Sequence, residues 1–363
     1  MNIFIVAGAR PNFMKISPIL KELKNYKKNN NIKYYLVHTG QHYDYNMSGS
    51  FFDQLKIPKP DIFLNAGSGT QSEQTASIMV SFEKVLIHHK PKLVIVVGDV
   101  NSTMACAISA KKLNISVAHV EAGIRSYDMK MPEEINRLVT DSIADYFFTT
   151  TQEASNNLLS ANVSKSKIFH VGNTMIDTLL HNINNSIKPS FLENLSINNF
   201  EFFTLTLHRP SNVDNLEKLI NRLTLIQKCT KGYKTIFPVH PRTKKILQKS
   251  EYTFKNIIFI DPLPYFQFIY LIKNSKGIIT DSGGITEEAT VLNIPCLTLR
   301  NSTERPETVS LGTNVLVGDD DLKFQEMLEK ILENNWKKST IPDLWDGKTS
   351  LRIVKTLIDL KYI

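Results

Sequence analysis

The chain has 363 residues, of which 42% are hydrophobic and 21% charged, with a formal net charge of +8 and a pI of about 9.1. That length exceeds one ordinary core and suits two domains, and the composition is that of a soluble globular protein in which no apolar run approaches the ~20 residues of a membrane span. The positive charge would suit nucleic acid, but the lysines are scattered over helix faces and no arginine-rich tract occurs, so an anionic small substrate is the simpler partner and neither nucleic acid nor membrane is expected.

The start, MNIFIVAGARP, has no basic leader and enters a strand pattern at once, so no signal peptide is expected. Short apolar runs predict strands at 2–6, 33–38, 92–97, 116–120, 146–149 and 167–170. Helical patterns lie between them at 13–23, 72–88, 102–113, 133–144 and 152–161. A helix at 173–182 and a mostly polar stretch at 184–199 follow. The scheme then repeats, with strands at 202–207, 235–239, 256–260, 277–280, 295–298 and 314–317 and helices at 215–227, 265–273, 286–292 and 321–333. A polar connection at 337–342 leads to a final helix within 346–363. Short apolar strands separated by helices imply parallel sheets covered on both faces. The fold class is therefore α/β: two Rossmann-like doubly wound domains facing across a cleft. The first takes residues 1–170, with a terminal helix at 347–363 packing back on it, and the second takes 171–346. Cys106, Cys229 and Cys296 show no metal or disulfide spacing, which fits a reducing cytoplasm.

Ligands of doubly wound domains sit at the carboxyl ends of the strands. The polar residues after each strand are therefore the candidates. Gly8-Ala9-Arg10-Pro11-Asn12 follows the first strand, and Arg10 and Lys15 carry the charge to face a phosphate or carboxylate. A lysine there equally suits a solvated helix surface. Gly98-Asp99-Val100-Asn101-Ser102 follows the third strand. Asp99 would cap the next helix, but Asn101 or Ser102 would serve as well, which frees the carboxylate. Next comes His119-Val120-Glu121-Ala122-Gly123-Ile124-Arg125. A charged Glu121 closing an apolar strand is costly unless it is paired or works. Glu133 and Glu134 follow Pro132 at a helix start, where acidic residues stabilise the dipole by about 0.3–1 kcal/mol, so a structural role is the stronger reading for Glu134. In the second half, His208-Arg209 and His240-Pro241-Arg242 follow strands.

The segment Asp281-Ser282-Gly283-Gly284 joins an apolar strand to a helix opening at Thr286. Two glycines there let backbone N–H groups approach a ligand closely, and the helix N-terminus favours an anion, so the turn suits a phosphate or diphosphate. Glu288 either complements the dipole or accepts hydrogen bonds from ribose hydroxyls. No cluster has metal-ligand spacing, no GxGxxG follows the first strand and no serine elbow appears, so neither a metal nor a cofactor is expected. Asp99, Glu121 and Glu133, with His208, His240, Arg10, Arg125 and Arg209, favour an active site in the cleft between the domains.

These segments resemble the non-hydrolysing UDP-N-acetylglucosamine 2-epimerases over almost the whole chain. The family's Gly-Thr-Arg-Pro-Glu is matched by Gly8-Ala9-Arg10-Pro11-Asn12, with Lys15 in place. Its Gly-Asp, His-Val-Glu-Ala-Gly-Leu-Arg and Pro-Glu-Glu-x-Asn-Arg match Gly98-Asp99, residues 119–125 and residues 132–137. Its His-Arg, Thr-Asp-Ser-Gly-Gly-Ile-x-Glu-Glu and Thr-Glu-Arg-Pro-Glu match His208-Arg209, residues 280–288 and residues 303–307. The resemblance implies the GT-B type fold shared with one large group of glycosyltransferases, a cytoplasmic homodimer and a role in surface polysaccharide synthesis. It implies that Asp99, Glu121, Glu133 and His208 carry catalysis. Substrate binding would fall to Arg10, Lys15, Arg125, Arg209, Ser282, Gly283, Gly284 and Glu288, with Phe268 in the uracil-contacting segment or simply in the core.

The chemistry implied is inversion at C2 of the sugar. That carbon is not next to a carbonyl, so UDP leaves first, C2 loses its proton, and 2-acetamidoglucal forms. Re-addition of UDP with reprotonation on the other face gives UDP-N-acetylmannosamine. Donors must meet the leaving group, and acid/base groups must serve two faces. Asn12 departs from the family's usual Glu, and Tyr43-Asp44-Tyr45-Asn46-Met47-Ser48 replaces a segment that belongs to substrate activation in the best-known bacterial members. Relatives acting on 2,3-diacetamido uronates or 6-deoxy amino sugars share the pattern, and a UDP-sugar glycosyltransferase would share the nucleotide grip.

Overall fold

The computed structural model describes residues 2–27, 33–40, 52–239, 241–247 and 252–363. It divides into two compact units, one of Met1–His181 with Asp343–Ile363 and the other of Asn182–Pro342. The first unit holds strands β1 (Asn2–Ala7), β2 (Lys33–His38), β3 (Ile62–Phe63), β4 (Leu93–Val97), β5 (Ser116–Ala122), β6 (Tyr146–Thr149) and β7 (Ile168–His170). They form one parallel sheet in the order β3-β2-β1-β4-β5-β6-β7. The second unit holds β8 (Phe202–Thr206), β9 (Lys234–Pro238), β10 (Ile257–Ile260), β11 (Gly277–Thr280), β12 (Cys296–Thr298) and β13 (Asn314–Leu316). Its parallel order is β10-β9-β8-β11-β12-β13.

Strand order reverses between β1 and β4 in one sheet and between β8 and β11 in the other. At such a switch point successive connections leave toward opposite sides, and a crevice opens at the carboxyl ends of the strands. These four strands are the apolar axis of each unit: Ile3 to Ile5, Leu93 to Val96, Phe202, Phe203, Ile278 and Ile279 are wholly shielded from solvent. Branched side chains on both faces bury the strands between helices. The loops after β1, β4, β8 and β11 thus leave from strands that are wholly shielded from solvent over most of their length.

Several boundaries differ from the sequence expectation. The helix Arg10–Lys27 starts three residues early, because Pro11 suits a first turn, where its missing N–H costs nothing. The helix Gly283–Leu292 likewise opens at Gly283 rather than Thr286, so the glycines are its first turn and not a loop before it. Neither Asn101 nor Ser102 caps the helix Asn101–Lys112; Val100 stands at that position with no side-chain bond. Strand β3 and the short helices Ser190–Asn194, Pro210–Val213, Pro241–Leu247 and Pro306–Ser310 are too brief to leave a periodic signal.

The expected boundary at 170 would place the helix Thr174–Asn182 with the second domain. The structure groups most of it with the first unit, for a local reason. Asp177 is fully buried, and its carboxylate accepts from the Thr349 and Ser350 backbone N–H groups at 3.0 and 2.7 Å and from the Ser350 hydroxyl at 2.7 Å. It therefore caps the helix Thr349–Asp359 from a distant part of the chain, and that helix packs against Arg10–Lys27. The Thr178 hydroxyl donates to the Met14 carbonyl at 2.6 Å, and Trp345 Nε1 donates to the Thr150 carbonyl at 3.1 Å. Asp177→Ala strands two buried N–H donors. A stability loss on the order of 1–3 kcal/mol in urea unfolding is expected, with Asp177→Asn losing less because one acceptor oxygen remains.

Candidate active site

At the switch point of the first unit, Lys15 and Glu121 form a buried ion pair. Glu121 lies at φ 72°, where a non-glycine residue is strained, and the β5–β6 register shifts between Val120 and Ala122. The bulge turns the carboxylate toward Lys15 at the strand end, a displacement bulges commonly serve. Gly98, at φ +69°, closes β4 beside the pair: a Cβ there would lie 2.9 Å from Lys15 Nζ and 3.5 Å from both Asn12 Nδ2 and Glu121 Oε2. Only glycine leaves that space. Asn12 Oδ1 accepts from the Gly8 and Ala9 N–H groups at 3.3 and 3.1 Å, and its Nδ2 donates to the Val97 carbonyl at 2.9 Å. An amide both accepts and donates in this bridge; a carboxylate in its place would meet the Val97 carbonyl with no proton to give. Asn12 is therefore suited to this loop despite its departure from the family pattern.

Around this pair runs a network of buried charge. His119 Nδ1 lies 2.7 Å from Asp141 and Nε2 lies 2.9 Å from the Gly98 carbonyl. Asp141 also accepts from the Gly123 N–H at 3.1 Å and from Arg125 at 2.6 Å. Burial would raise the Asp141 pKa, but the charge and hydrogen bond of His119, with those of Arg125, outweigh it and lower it. Arg125, expected on the substrate, is thus engaged with Asp141. Asp99 pairs with Arg137 at 2.6 Å, and Arg137 also meets Glu134. Glu134 is buried and accepts from the Ser126 and Tyr127 N–H groups at 2.9 and 3.0 Å, so its structural role is to hold that loop. Glu133 is half-buried and in no ion pair among the described residues. Arg10 is the first residue of its helix, and its side chain lies outside what the structure describes.

In the second unit, Asp281 follows β11 and is fully buried. It accepts from the His208 N–H at 3.1 Å, the Arg209 N–H at 3.0 Å and Asn212 Nδ2 at 2.9 Å, and it pairs with His208 Nδ1 at 2.8 Å. Burial would raise its pKa, but the His208 bond and charge and the other donors prevail and lower it. The imidazole is consequently held by Nδ1, and the side chain is 55% exposed. Arg209 keeps a buried Nε without a partner among the described residues. Ser282 precedes the helix Gly283–Leu292 without capping it by its side chain. Glu288 is buried inside that helix. Burial, and then the Glu287 carboxylate, push its pKa up to about 8, against a hydrogen bond from the Tyr265 hydroxyl at 3.5 Å. Phe268 packs against the Ile272, Ile278 and Ala289 cluster and so serves the core. His240 and the segment 41–50 lie outside the described residues, and the Arg242 side chain is likewise not described.

The UDP-N-acetylglucosamine 2-epimerase family matches residues 24–358. The UDP-N-acetylglucosamine 2-epimerase of Methanocaldococcus jannaschii is 44% identical, with all of both chains covered. The crystal structure of the M. jannaschii protein in complex with UDP-GlcNAc and UDP covers 99% of this chain and 100% of that one, with a TM-score of 0.87. The chain belongs to the UDP-N-acetylglucosamine 2-epimerase family. Another relative, the UDP-2,3-diacetamido-2,3-dideoxy-D-glucuronate 2-epimerase of Pseudomonas aeruginosa, is 39% identical over 88% of each chain.

Within this epimerase chain the structure adds residues that sequence reading passed over. Asp281 had the same signal as Asp99, a carboxylate directly after an apolar strand, and would have been found by the same rule. Asp141 had a different signal: Glu134, Arg137 and Asp141 recur at helical spacing on the buried face of Pro132–Ile143. Glu288 supplies a pH test. A carboxyl with a pKa of about 8 is mostly protonated at pH 7. Ribose hydroxyls donating to the ionised form would expel that proton, so UDP affinity should rise about tenfold between pH 7 and 9. Calorimetry at both pH values checks this, and Glu288→Gln should flatten the dependence.

Proposed function

We propose that the chain catalyses reversible epimerisation at C2 of UDP-N-acetylglucosamine to UDP-N-acetylmannosamine. The carrying observation is the likeness over its full length to a protein crystallised with UDP-GlcNAc and UDP. In this reading the Ser282–Gly284 turn, His208 and Arg209 meet the diphosphate, and Glu288 meets the ribose. UDP leaves from C1, and a base removes the C2 proton, giving 2-acetamidoglucal; UDP returns as C2 gains a proton on its opposite face. His208, oriented by Asp281, suits the leaving oxygen, where charge develops. Asp99, Glu121 and Glu133 supply the acid/base work. Lys15 holds Glu121 in place, which suits a residue that accepts a proton and gives one back. Arg10 and Arg125 are assigned to substrate binding, Arg125 acting through Asp141. No cofactor enters this chemistry.

A second substrate is supported by a specific observation, the 39% identity to the diacetamido uronate epimerase. Both readings use one UDP grip and one C2 chemistry. We further infer a homodimer, to be checked by light scattering, and a cytoplasmic location, since nucleotide sugars are made and consumed inside the cell. Among the described residues no helix is long and apolar enough to cross a membrane.

Incubation with UDP-GlcNAc alone should yield UDP-ManNAc, which chromatography resolves. Turnover only on addition of a sugar acceptor would instead make the chain a transferase, and turnover of the uronate alone would favour the second substrate. Asp99→Asn, Glu121→Gln and Glu133→Gln should each lower kcat by roughly 10²- to 10⁴-fold. Melting temperature should hold for Glu133→Gln. A variant that keeps its kcat removes that residue from the mechanism.

A further inference from the structure

Beside the turn assigned to the diphosphate lies a buried cation that this assignment leaves unused. Arg300 emerges two residues after β12, the strand next to β11, and so arrives at the same sheet edge as Ser282 and Gly283. Its side chain is only 10% exposed. One arm of the guanidinium, Nη2, donates to Glu304 at 2.7 Å. The other arm, Nη1, is buried and has no hydrogen-bond partner among the described residues. A Cβ built on Gly283 would lie 3.9 Å from that Nη1 and 2.7 Å from Glu304 Oε1, so the pair flanks the first residue of the helix. Leaving a buried charged donor unpaired is costly and rare in folded proteins, which points to an acceptor that belongs there. The helix start beside it, uncapped by Ser282, wants the same kind of partner. The neighbouring Arg305 is accounted for, since its Nε meets Glu287 at 2.5 Å.

We propose that Arg300 is a further ligand of the diphosphate, its free Nη1 and the Gly283 backbone serving one anion, with Glu304 holding the guanidinium in place. The proposal rests on the nucleotide-sugar reading above. Glu304 suits its part: burial would raise its pKa, but the charges of Arg305 and Arg300 hold it at about 2, so it stays anionic at any working pH. A fork held on one arm by a carboxylate presents the other arm in a fixed direction.

The test is calorimetric titration of the whole chain with UDP and with uridine. Arg300→Gln should weaken UDP roughly 10- to 100-fold and leave uridine unchanged. Arg300→Lys, which keeps the charge and is the gentler change should glutamine impair folding, should fall between. Glu304→Gln should weaken UDP less than Arg300→Gln does, again with uridine unmoved. Wild-type affinity for UDP in Arg300→Gln would overturn the proposal, as would an equal loss for UDP and uridine, and in either case tight UDP binding by the wild type would leave the nucleotide reading standing. Absence of UDP binding by the wild type would remove both.

Discussion

Both halves of this chain depend on the same constraint, which is the cost of taking a carboxylate out of water. An isolated buried charge costs on the order of several kcal/mol, and only a full set of donors offsets it. Asp281, Glu134 and Asp177 each gather such a set, and the donors are largely backbone N–H groups. Asp281 takes the His208 and Arg209 amides. Glu134 takes those of Ser126 and Tyr127. Asp177 takes those of Thr349 and Ser350. A loop so tied cannot relax without leaving an ion unpaired, so its side chains keep their direction. That is how a sheet made of Ile, Val and Phe delivers polar groups in fixed positions at its edge.

The strain at Glu121 follows from this arrangement. A non-glycine residue at positive φ persists when its surroundings over-determine it. Here the bulge, the Lys15 pair and the close approach allowed by Gly98 do so together. Two residues upstream, His119 ties the same strand to Asp141 and to the Gly98 carbonyl. Ion pairing, strain and burial therefore converge on one short segment, His119 to Gly123, in the first unit. The corresponding segment of the second unit is Thr280 to Gly284, where Asp281 fixes the histidine and the glycines expose the helix start.

The architecture was legible because its signal is periodic. Apolar runs such as those of β1 and β4 alternate with helical patterns, and their order yields parallel sheets with ligands at the strand ends. The two-residue strand β3 and short helices such as Pro306–Ser310 left no period to detect. The candidates that follow the expected strands directly could be read one by one: Asp99, Glu121 and His208. Their pairings could not, because Arg137, Lys15 and Asp281 lie far off in sequence and meet Asp99, Glu121 and His208 only through folding. Glu134 shows the limit from the other side, since a helix-start glutamate reads as a dipole partner whether it is exposed or, as here, buried. Asn12 shows it again: against a family pattern it is a departure, and within its loop it is the side chain that both accepts and donates.

The central claim is that C2 is deprotonated and reprotonated while UDP is detached from the sugar. Turnover of UDP-GlcNAc in D2O, followed by NMR of the sugar, tests it most directly. The account predicts deuterium at C2 of the UDP-ManNAc formed. Product that retains its original hydrogen at C2 would contradict it, because an internal transfer would then have inverted the centre without any of the carboxylates acting as acid or base.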